Sequence, residues 1–170
     1  MKNTNIKGST VSTLGYTGIV TLSQYAGTRK TVLTRTHNEG GQALFNYLAR
    51  CLQGDFSSVA VDRPAKIMLL NIDADGNKTK AINSGFIYIT AEPQLVYSTT
   101  ESIVKYSFII SPDMLIGTNF NAIGLYAASA TESDLDNIAA CCNVNFEQQD
   151  SLSLSSVLVV DWELHISNLL

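Results

Sequence analysis

The sequence predicts a mainly-β fold: an antiparallel β-sandwich with jelly-roll-like connections and one amphipathic helix at about residues 42–53. The last third of the chain supplies the first observation, because residues 121–128, 137–146 and 156–167 are three strand-length runs separated by polar turns. In the last run, apolar and polar side chains alternate, as in a strand with one buried and one solvent-facing side. The apolar parity is Leu158, Val160, Trp162, Leu164 and Ile166, and the other parity is Val159, Asp161, Glu163 and His165.

The second observation is that only one segment has helical periodicity. In Gln42–Gln53 the apolar residues recur at i, i+3, i+4, i+7 and i+8, which gives a single apolar stripe, namely Leu44, Tyr47, Leu48, Cys51 and Leu52. Gly54 is suited to end this helix in a left-handed conformation, and Asn38 is a candidate N-cap. One stripe predicts that one face of the helix packs on a sheet.

The remaining apolar runs predict further strands, and no βαβ rhythm, internal repeat or linker interrupts them. Breaks are expected at His37–Gly41, in a loop at Asp55–Pro64 and in a turn at Asp73–Lys78. With the three closing runs, the chain has eight or nine strands at a spacing typical of an antiparallel sandwich. The additional strands are Gly18–Tyr25, Lys30–Thr36, Ala65–Ile72, Gly85–Ala91, Gln94–Ser98 and Ser102–Ile110.

The chain of 170 residues fits one domain preceded by a short arm. Residues 1–16 are rich in Lys, Asn, Thr, Ser and Gly, and Ile6, Val11 and Leu14 are isolated. Such a segment cannot bury enough apolar surface to fold alone. We therefore predict an extended N-terminal arm at residues 1–16 and a single β-sandwich domain at residues 17–170.

Charge is scarce in this chain. Charged residues make up 15% of it, whereas roughly a quarter is usual in soluble domains. A weakly polar surface suits a subunit that neighbours cover, although Ser and Thr on the solvent-facing sides of an all-β fold explain it as well. The net charge of −4 and the lack of a basic stripe argue against nucleic-acid binding.

The sequence shows no sign of membrane insertion or secretion. It has no apolar run of about 18 residues, so no transmembrane helix is expected. Residues 1–14 lack the apolar core of a signal peptide, so we expect the chain to stay in a cytoplasm. The three cysteines, Cys51, Cys141 and Cys142, are an odd number without regular spacing. They fit small buried side chains in a reducing compartment better than a disulfide framework.

One segment resembles half of a calcium-binding loop. Asn71–Gly76 reads N-I-D-A-D-G, with oxygen ligands and a glycine bend where an EF-hand needs them. The twelfth position, which should be acidic, is Ile82, and no helix flanks the loop. A hairpin turn accounts for the segment, so no metal or other cofactor is expected.

The sequence also predicts no catalytic residues. His37 and His165 have no further zinc ligands at workable spacing. A Cys51–His37 nucleophile pair is conceivable, but Cys51 lies on the apolar stripe, where a thiol stays protonated. The acidic residues of the 130–136 segment lie in one solvated loop, whereas paired catalytic carboxylates come from firm elements; they are Glu132, Asp134 and Asp136. We therefore do not expect an enzyme.

The closing runs resemble a known family. Asn121–Ala128 reads N-A-I-G-L-Y-A-A, Asn137–Phe146 reads N-I-A-A-C-C-N-V-N-F, and Ser156–Ser167 reads S-V-L-V-V-D-W-E-L-H-I-S. This order resembles the closing β-segment of tail-collar, tail-fibre-attachment and baseplate-type proteins of tailed bacteriophages. Residues 36–55 with residues 63–70 are similar to a segment of small phage virion proteins, where a His-Asn-x-Gly turn opens one short helix.

The resemblance implies a structural subunit of a tailed-phage particle, in the tail, neck or baseplate region. Such a subunit binds other virion proteins as a homo-oligomer or ring, and it is located in the virion after assembly in the host cytoplasm. The alternative is a carbohydrate- or receptor-binding β-sandwich module, for which seven Tyr and one Trp could supply sugar platforms. Trp162 and Tyr106 fall on buried parities, which counts against that alternative, and Tyr16 and Tyr25 are unassigned.

Overall fold

The computed structural model describes residues 13–55, 57, 62–81, 85–98, 101–115, 118–133, 135–146 and 156–169. It confirms a mainly-β fold with one helix, built from strands that pair antiparallel. In chain order the elements are β1 Thr13–Ala26, β2 Arg29–Gly40, α1 Gln42–Gln53, β3 Pro64–Ile72, β4 Lys78–Lys80, β5 Ile87–Tyr88, β6 Gln94–Tyr97, β7 Glu101–Ile110, a 3-10 turn Pro112–Leu115, β8 Phe120–Ala127, β9 Ile138–Phe146 and β10 Ser156–Leu169.

The strands form two layers joined at both sides. The front sheet has the order β2-β1-β10-β7-β6, and the back sheet has the order β4-β3-β8-β9, with β5 also paired to β3. On one side, the end of β2 crosses to the back sheet, where Glu39 and Gly40 pair with β9. On the other side, Ile89 donates its N–H to Ala65 of β3, and Thr90 donates its N–H to Ser107 of β7, at 3.0 and 3.1 Å.

The main core lies between the two sheets. The predicted parity of β10 is confirmed, because Leu158, Val160 and Trp162 are fully buried and Leu164 is 4% exposed. Their neighbours on β7 follow the same alternation, with Tyr106, Phe108 and Ile110 facing inward. The front-sheet residues pack with a back-sheet set in one cluster; that set includes Ile67, Leu69, Ile123, Leu125, Ala140 and Cys142.

A second apolar cluster covers the outer face of the back sheet. It contains Met68, Leu70, Ala122, Tyr126, Ala130 and Ile138. Because β3 is buried on both faces, it reads as a continuous apolar run rather than an alternating one. Lys66 is buried beneath this cover, and its Nζ donates to the carbonyl oxygens of Ala128 and Ala130 at 2.9 and 2.6 Å. The ammonium also lies 4.2 Å from the centroid of the Phe86 ring.

The helix begins and ends where the sequence predicts. Gly54 caps its C-terminus with φ of 75°, and Leu44 is buried. The predicted stripe extends one residue too far, since Leu52 is 83% exposed. The N-cap prediction was wrong: Gly41 occupies the cap, and Asn38 lies in β2.

Two boundary predictions change at the front sheet. The break expected at His37–Gly41 is wrong for residues 37–40, because pairing with β9 carries β2 through Gly40. Thr13–Tyr16 begin β1 and pair with the end of β10, so the sheet includes the last four residues of the predicted arm. Residues 1–12 lie outside the described residues.

Candidate interaction surface

The candidate nucleophile pair is not brought together in a common site. His37 is exposed on β2. Cys51 lies on α1 and lines a cavity that His37 does not line. Burial is the main cause that raises the phenol pKa of the neighbouring Tyr47, and Cys51 contributes to the rise. On the back sheet, burial raises the pKa of the Cys142 thiol to about 12, so this thiol stays protonated at neutral pH.

The half calcium loop is a hairpin turn between β3 and β4. The Oδ1 atom of Asp73 accepts the backbone N–H groups of Asp75 and Asn77, both at 2.9 Å. Hydrogen bonds from Asn77 lower the pKa of Asp73. Gly76 supplies the left-handed turn position with φ of 86°. The Asp73 carboxylate thus stabilises its own turn, and Ile82 lies outside the described residues.

No metal cluster stands elsewhere in the part of the chain that the structure describes. No group there combines three or more His, Cys, Asp or Glu side chains in an arrangement that could hold an ion.

The acidic loop is held against β4 rather than standing free in solvent. Lys80 Nζ lies 2.9 Å from Glu132 Oε2, and Lys78 Nζ lies 2.8 Å from Asp136 Oδ1. Tyr126 donates its hydroxyl to the carbonyl oxygen of Leu135 at 3.0 Å. Asp134 lies outside the described residues. The two ion pairs join residues 52 and 58 positions apart, so the loop could not be placed from local sequence.

A polar row crosses the outer face of the front sheet. His165 Nδ1 lies 2.7 Å from Glu101 Oε1, and its Nε2 lies 3.1 Å from Glu163 Oε2. Lys105 donates to Glu163 at 2.7 Å. Burial alone would raise the pKa of Glu163, but hydrogen bonds from Lys105 and His165 outweigh it and lower that pKa. The sequence missed this row because the carboxylates and their partners come from two strands that are distant in the chain.

The groove beside the polar row does not favour sugar binding. It has a volume of about 350 Å³. None of its lining residues is aromatic; they are Thr21, Lys30, Arg35, Ala91, Glu92, Gln94, Lys105, Ser107, Asp161 and Glu163. A sugar platform needs an exposed ring: Trp162 is fully buried, and the exposed rings of Tyr88 and Tyr97 do not line this groove.

An apolar cavity of about 420 Å³ lies between α1 and the inner face of the front sheet. Its lining includes the helix residues Leu44 and Leu48 and the sheet residues Leu95, Val104, Leu164 and Ile166. Tyr16 also lines it and donates its hydroxyl to the Asn38 side chain, and burial raises the pKa of this phenol. The apolar stripe of the helix therefore faces a sheet, as the sequence predicts, and β10 residues line the same cavity, but these side chains do not fill it.

β5 pairs only with β3, and β9 pairs with β2 only at Ala140 and Cys141; three further strand segments have an outer edge that no other described strand covers along its length. The first is β2, which pairs with β9 only at Glu39 and Gly40 and carries Arg29, Lys30 and Arg35 along the open part. The second is β4, which carries two lysines paired with the acidic loop. Charged side chains on an edge discourage further strand pairing. The third edge, β6, has no such protection.

Apolar side chains are exposed along β6. Leu95, Val96 and Tyr97 are 49%, 45% and 72% exposed, and the strand Gln94–Tyr97 has no charged residue. Within the described residues, β6 pairs only with β7. We call this the β6 edge, and it combines unpaired backbone groups with apolar side chains. The sequence predicts the strand itself, but its terminal position follows from the pairing order.

No helix among the described residues is long and apolar enough to span a membrane. Comparisons with protein-family models, curated proteins and solved structures found no match to this chain.

Proposed function

We propose that the chain is a structural subunit of a tailed-phage particle, in its tail, neck or baseplate region, and that it binds other virion proteins in a multi-copy assembly. The observation that carries this proposal is the β6 edge. Strand addition to such an edge gives affinity through main-chain hydrogen bonds and specificity through alternate side chains. The open edges of β2 and β4 carry cations, whereas β6 combines an open edge with exposed apolar side chains.

The composition supports the same proposal. A chain with 15% charged residues has a weakly polar surface, which suits an interface because the core of an interface is depleted of charged residues. Covering Leu95, Val96 and Tyr97 would also remove apolar surface from water, which stabilises association by roughly 25 cal/mol for each Å² of apolar surface.

The phage assignment rests on the resemblance of the three closing runs to the end of tail-collar, tail-fibre-attachment and baseplate-type proteins. In this chain those runs form β8, β9 and β10, which belong to both sheets. Their apolar side chains form part of the core, and no metal-binding cluster lies among their described residues. A role through shape and contact therefore fits these residues better than a chemical one.

The rival proposal is a carbohydrate- or receptor-binding module, and it has less support. The sole tryptophan is buried, and the polar groove of the front sheet lacks an aromatic lining residue.

Quantitative mass spectrometry of purified virions tests the proposed function. Particles of the phage that encodes this chain should contain it in several copies, at a constant ratio to the major tail or baseplate proteins. Particles washed at high salt should retain it. Its absence from washed particles would refute the proposed role.

A further inference from the structure

One hydrogen bond shows which amides of β6 face outward. Ser98 donates its N–H to the carbonyl oxygen of Glu101 at 2.8 Å, so these two residues form a hydrogen-bonded pair. Such pairs alternate along an antiparallel ladder. The register continues with Tyr97 opposite Ser102 and then Val96 opposite Ile103. Val96 therefore directs its N–H at β7, whereas Leu95 and Tyr97 direct theirs at the open edge.

The two faces of β6 differ in chemistry. Leu95 lines the apolar cavity under α1, and Gln94 lines the polar groove on the outer face. The exposed Glu92 lines both spaces just before the strand begins. Because side chains alternate along a strand, a strand added here would place every second residue over the apolar cavity. Its other residues would lie over the polar groove, near the Glu92 carboxylate.

The first twelve residues of the chain match this pattern. They include Lys2 and Lys7 but neither an acidic residue nor a proline, whereas the whole chain has a net charge of −4. If the stretch Thr4–Lys7 is extended, the side chains of Thr4 and Ile6 lie on one face and that of Lys7 lies on the other. An added strand of this sequence could direct Ile6 to the apolar cavity and Lys7 to Glu92.

Residues 1–12 of the same chain are poorly placed to add as a strand to their own β6 edge. Thr13 lies opposite Leu169, at the same end of the front sheet as the turn between β6 and β7. Four strand spacings, about 19 Å, separate β1 from a strand added beside β6, and about six residues are needed to cross them. The remaining residues would run parallel to β6, a pairing that is slightly less stable per residue than the antiparallel one.

A second copy has no such restriction and can pair antiparallel along all of β6. On the basis of the proposed function, we propose that residues 1–12 of one copy add as a strand to the β6 edge of a neighbouring copy, with Ile6 over its apolar cavity. The arm and the edge lie on different parts of the chain, so the contact is head-to-tail. Such contacts close into a ring when the rotation between copies permits it.

A peptide-binding measurement tests this inference. A labelled peptide of residues 1–12 is titrated by fluorescence anisotropy into the chain that lacks those residues. Tyr97→Pro removes one outward N–H and leaves the bonds to β7, because proline is tolerated at edge positions of this kind. Tyr97→Thr is the matched control, since it removes the ring and keeps the N–H.

We expect saturable binding to the truncated chain and to its Tyr97→Thr variant. Tyr97→Pro should weaken binding about tenfold or more, as expected for a lost hydrogen bond and a displaced strand. Circular dichroism verifies that this variant is folded. A second comparison needs no change in the receptor: the Ile6→Asp peptide should lose affinity about tenfold, and the Thr10→Asp peptide, with the same charge, should not.

Three results would overturn the inference: no saturable binding, equal binding by folded Tyr97→Pro, or equal binding by the Ile6→Asp peptide. Self-association of the truncated chain to the same degree as the full chain would also overturn it, because the contact would then not need the arm. The virion measurement separates the two proposals. If the chain is present in several copies in particles but the peptide does not bind, the proposed function stands and the arm contact fails.

Discussion

Lys105 and Glu163 lie directly opposite each other on β7 and β10, and Lys105 Nζ is 2.7 Å from Glu163 Oε1. This pair lies on the solvent-facing side of the front sheet, one residue from Trp162 on the core side. It therefore joins the two strands over the centre of the main core. Asp161 extends the same row by accepting the Ser107 hydroxyl at 2.7 Å.

Glu163→Gln should lower the free energy of unfolding at neutral pH by about 1 kcal/mol, because the charge-assisted bonds from Lys105 and His165 are lost. The pKa of Glu163 is lowered in the folded state, so its stabilising contribution is full above the unfolded-state pKa of about 4.3. It is lost as the pH falls through the folded-state pKa.

Urea denaturation at several pH values measures this effect. The difference between the original chain and Glu163→Gln should be present at pH 7 and shrink at acidic pH. Asp136→Asn serves as the control, since the Asp136 side chain is 87% exposed, and its effect should be small. A difference for Glu163→Gln that does not change with pH would show that the carboxylate charge is not the cause.

Trp162→Ala should destabilise the fold by about 3–5 kcal/mol, since a fully buried indole leaves a cavity that the sheets cannot close. Trp162→Phe should cost less, because Trp162 Nε1 is buried without a hydrogen-bond partner among the described residues. Chemical denaturation compares the two variants. An emission maximum of the native protein near that of free indole in water would contradict burial of the ring.

Lys66→Met should destabilise the fold by about 2–3 kcal/mol, since the carbonyl oxygens of Ala128 and Ala130 lose a buried charged donor. The segment after β8 should also become more susceptible to limited proteolysis. Lys80→Met is the comparison, because it removes an exposed pair with Glu132 and should cost much less. Equal effects of the two variants would argue against a structural role of the buried ammonium.

Calcium should not change thermal stability, since Asp73 is engaged by the amides of its own turn. The melting temperature should be the same with a chelator and with millimolar calcium. A clear rise with calcium would mean that the Asn71–Asn77 turn binds the ion, because a ligand that prefers the folded state stabilises it.

Local sequence patterns predict which helices and strands form better than they predict which strands pair with each other. The alternation from Leu158 to Ile166 is enough to assign β10, and the periodicity from Leu44 to Cys51 is enough to assign α1. His37–Gly40 read as a turn, but His37 and Asn38 continue the pairing with β1, and Glu39 and Gly40 pair with β9 about a hundred residues later. Competition between local preference and distant pairing decides such segments.

The candidate surface depends even more on topology. Gln94–Tyr97 read as an ordinary strand, and only the order β10-β7-β6 places it at the end of the sheet. Leu52 continues the helical stripe in sequence, but it is exposed in the structure. The sequence alone could therefore suggest assembly as a function class, but it could not indicate the candidate surface proposed for it.

Sedimentation velocity of the purified full chain, over a wide concentration range, tests association through β6 most directly. The original chain should form multi-copy species as concentration rises. Val96→Lys adds a charge to the β6 edge and should shift the distribution to monomer. Val32→Lys is the matched control, because it adds the same charge to the β2 edge and should leave association unchanged. That edge already carries Arg29, Lys30 and Arg35. A chain that stays monomeric at every concentration, or one whose association Val96→Lys does not weaken, would contradict the assignment of β6 as the assembly edge.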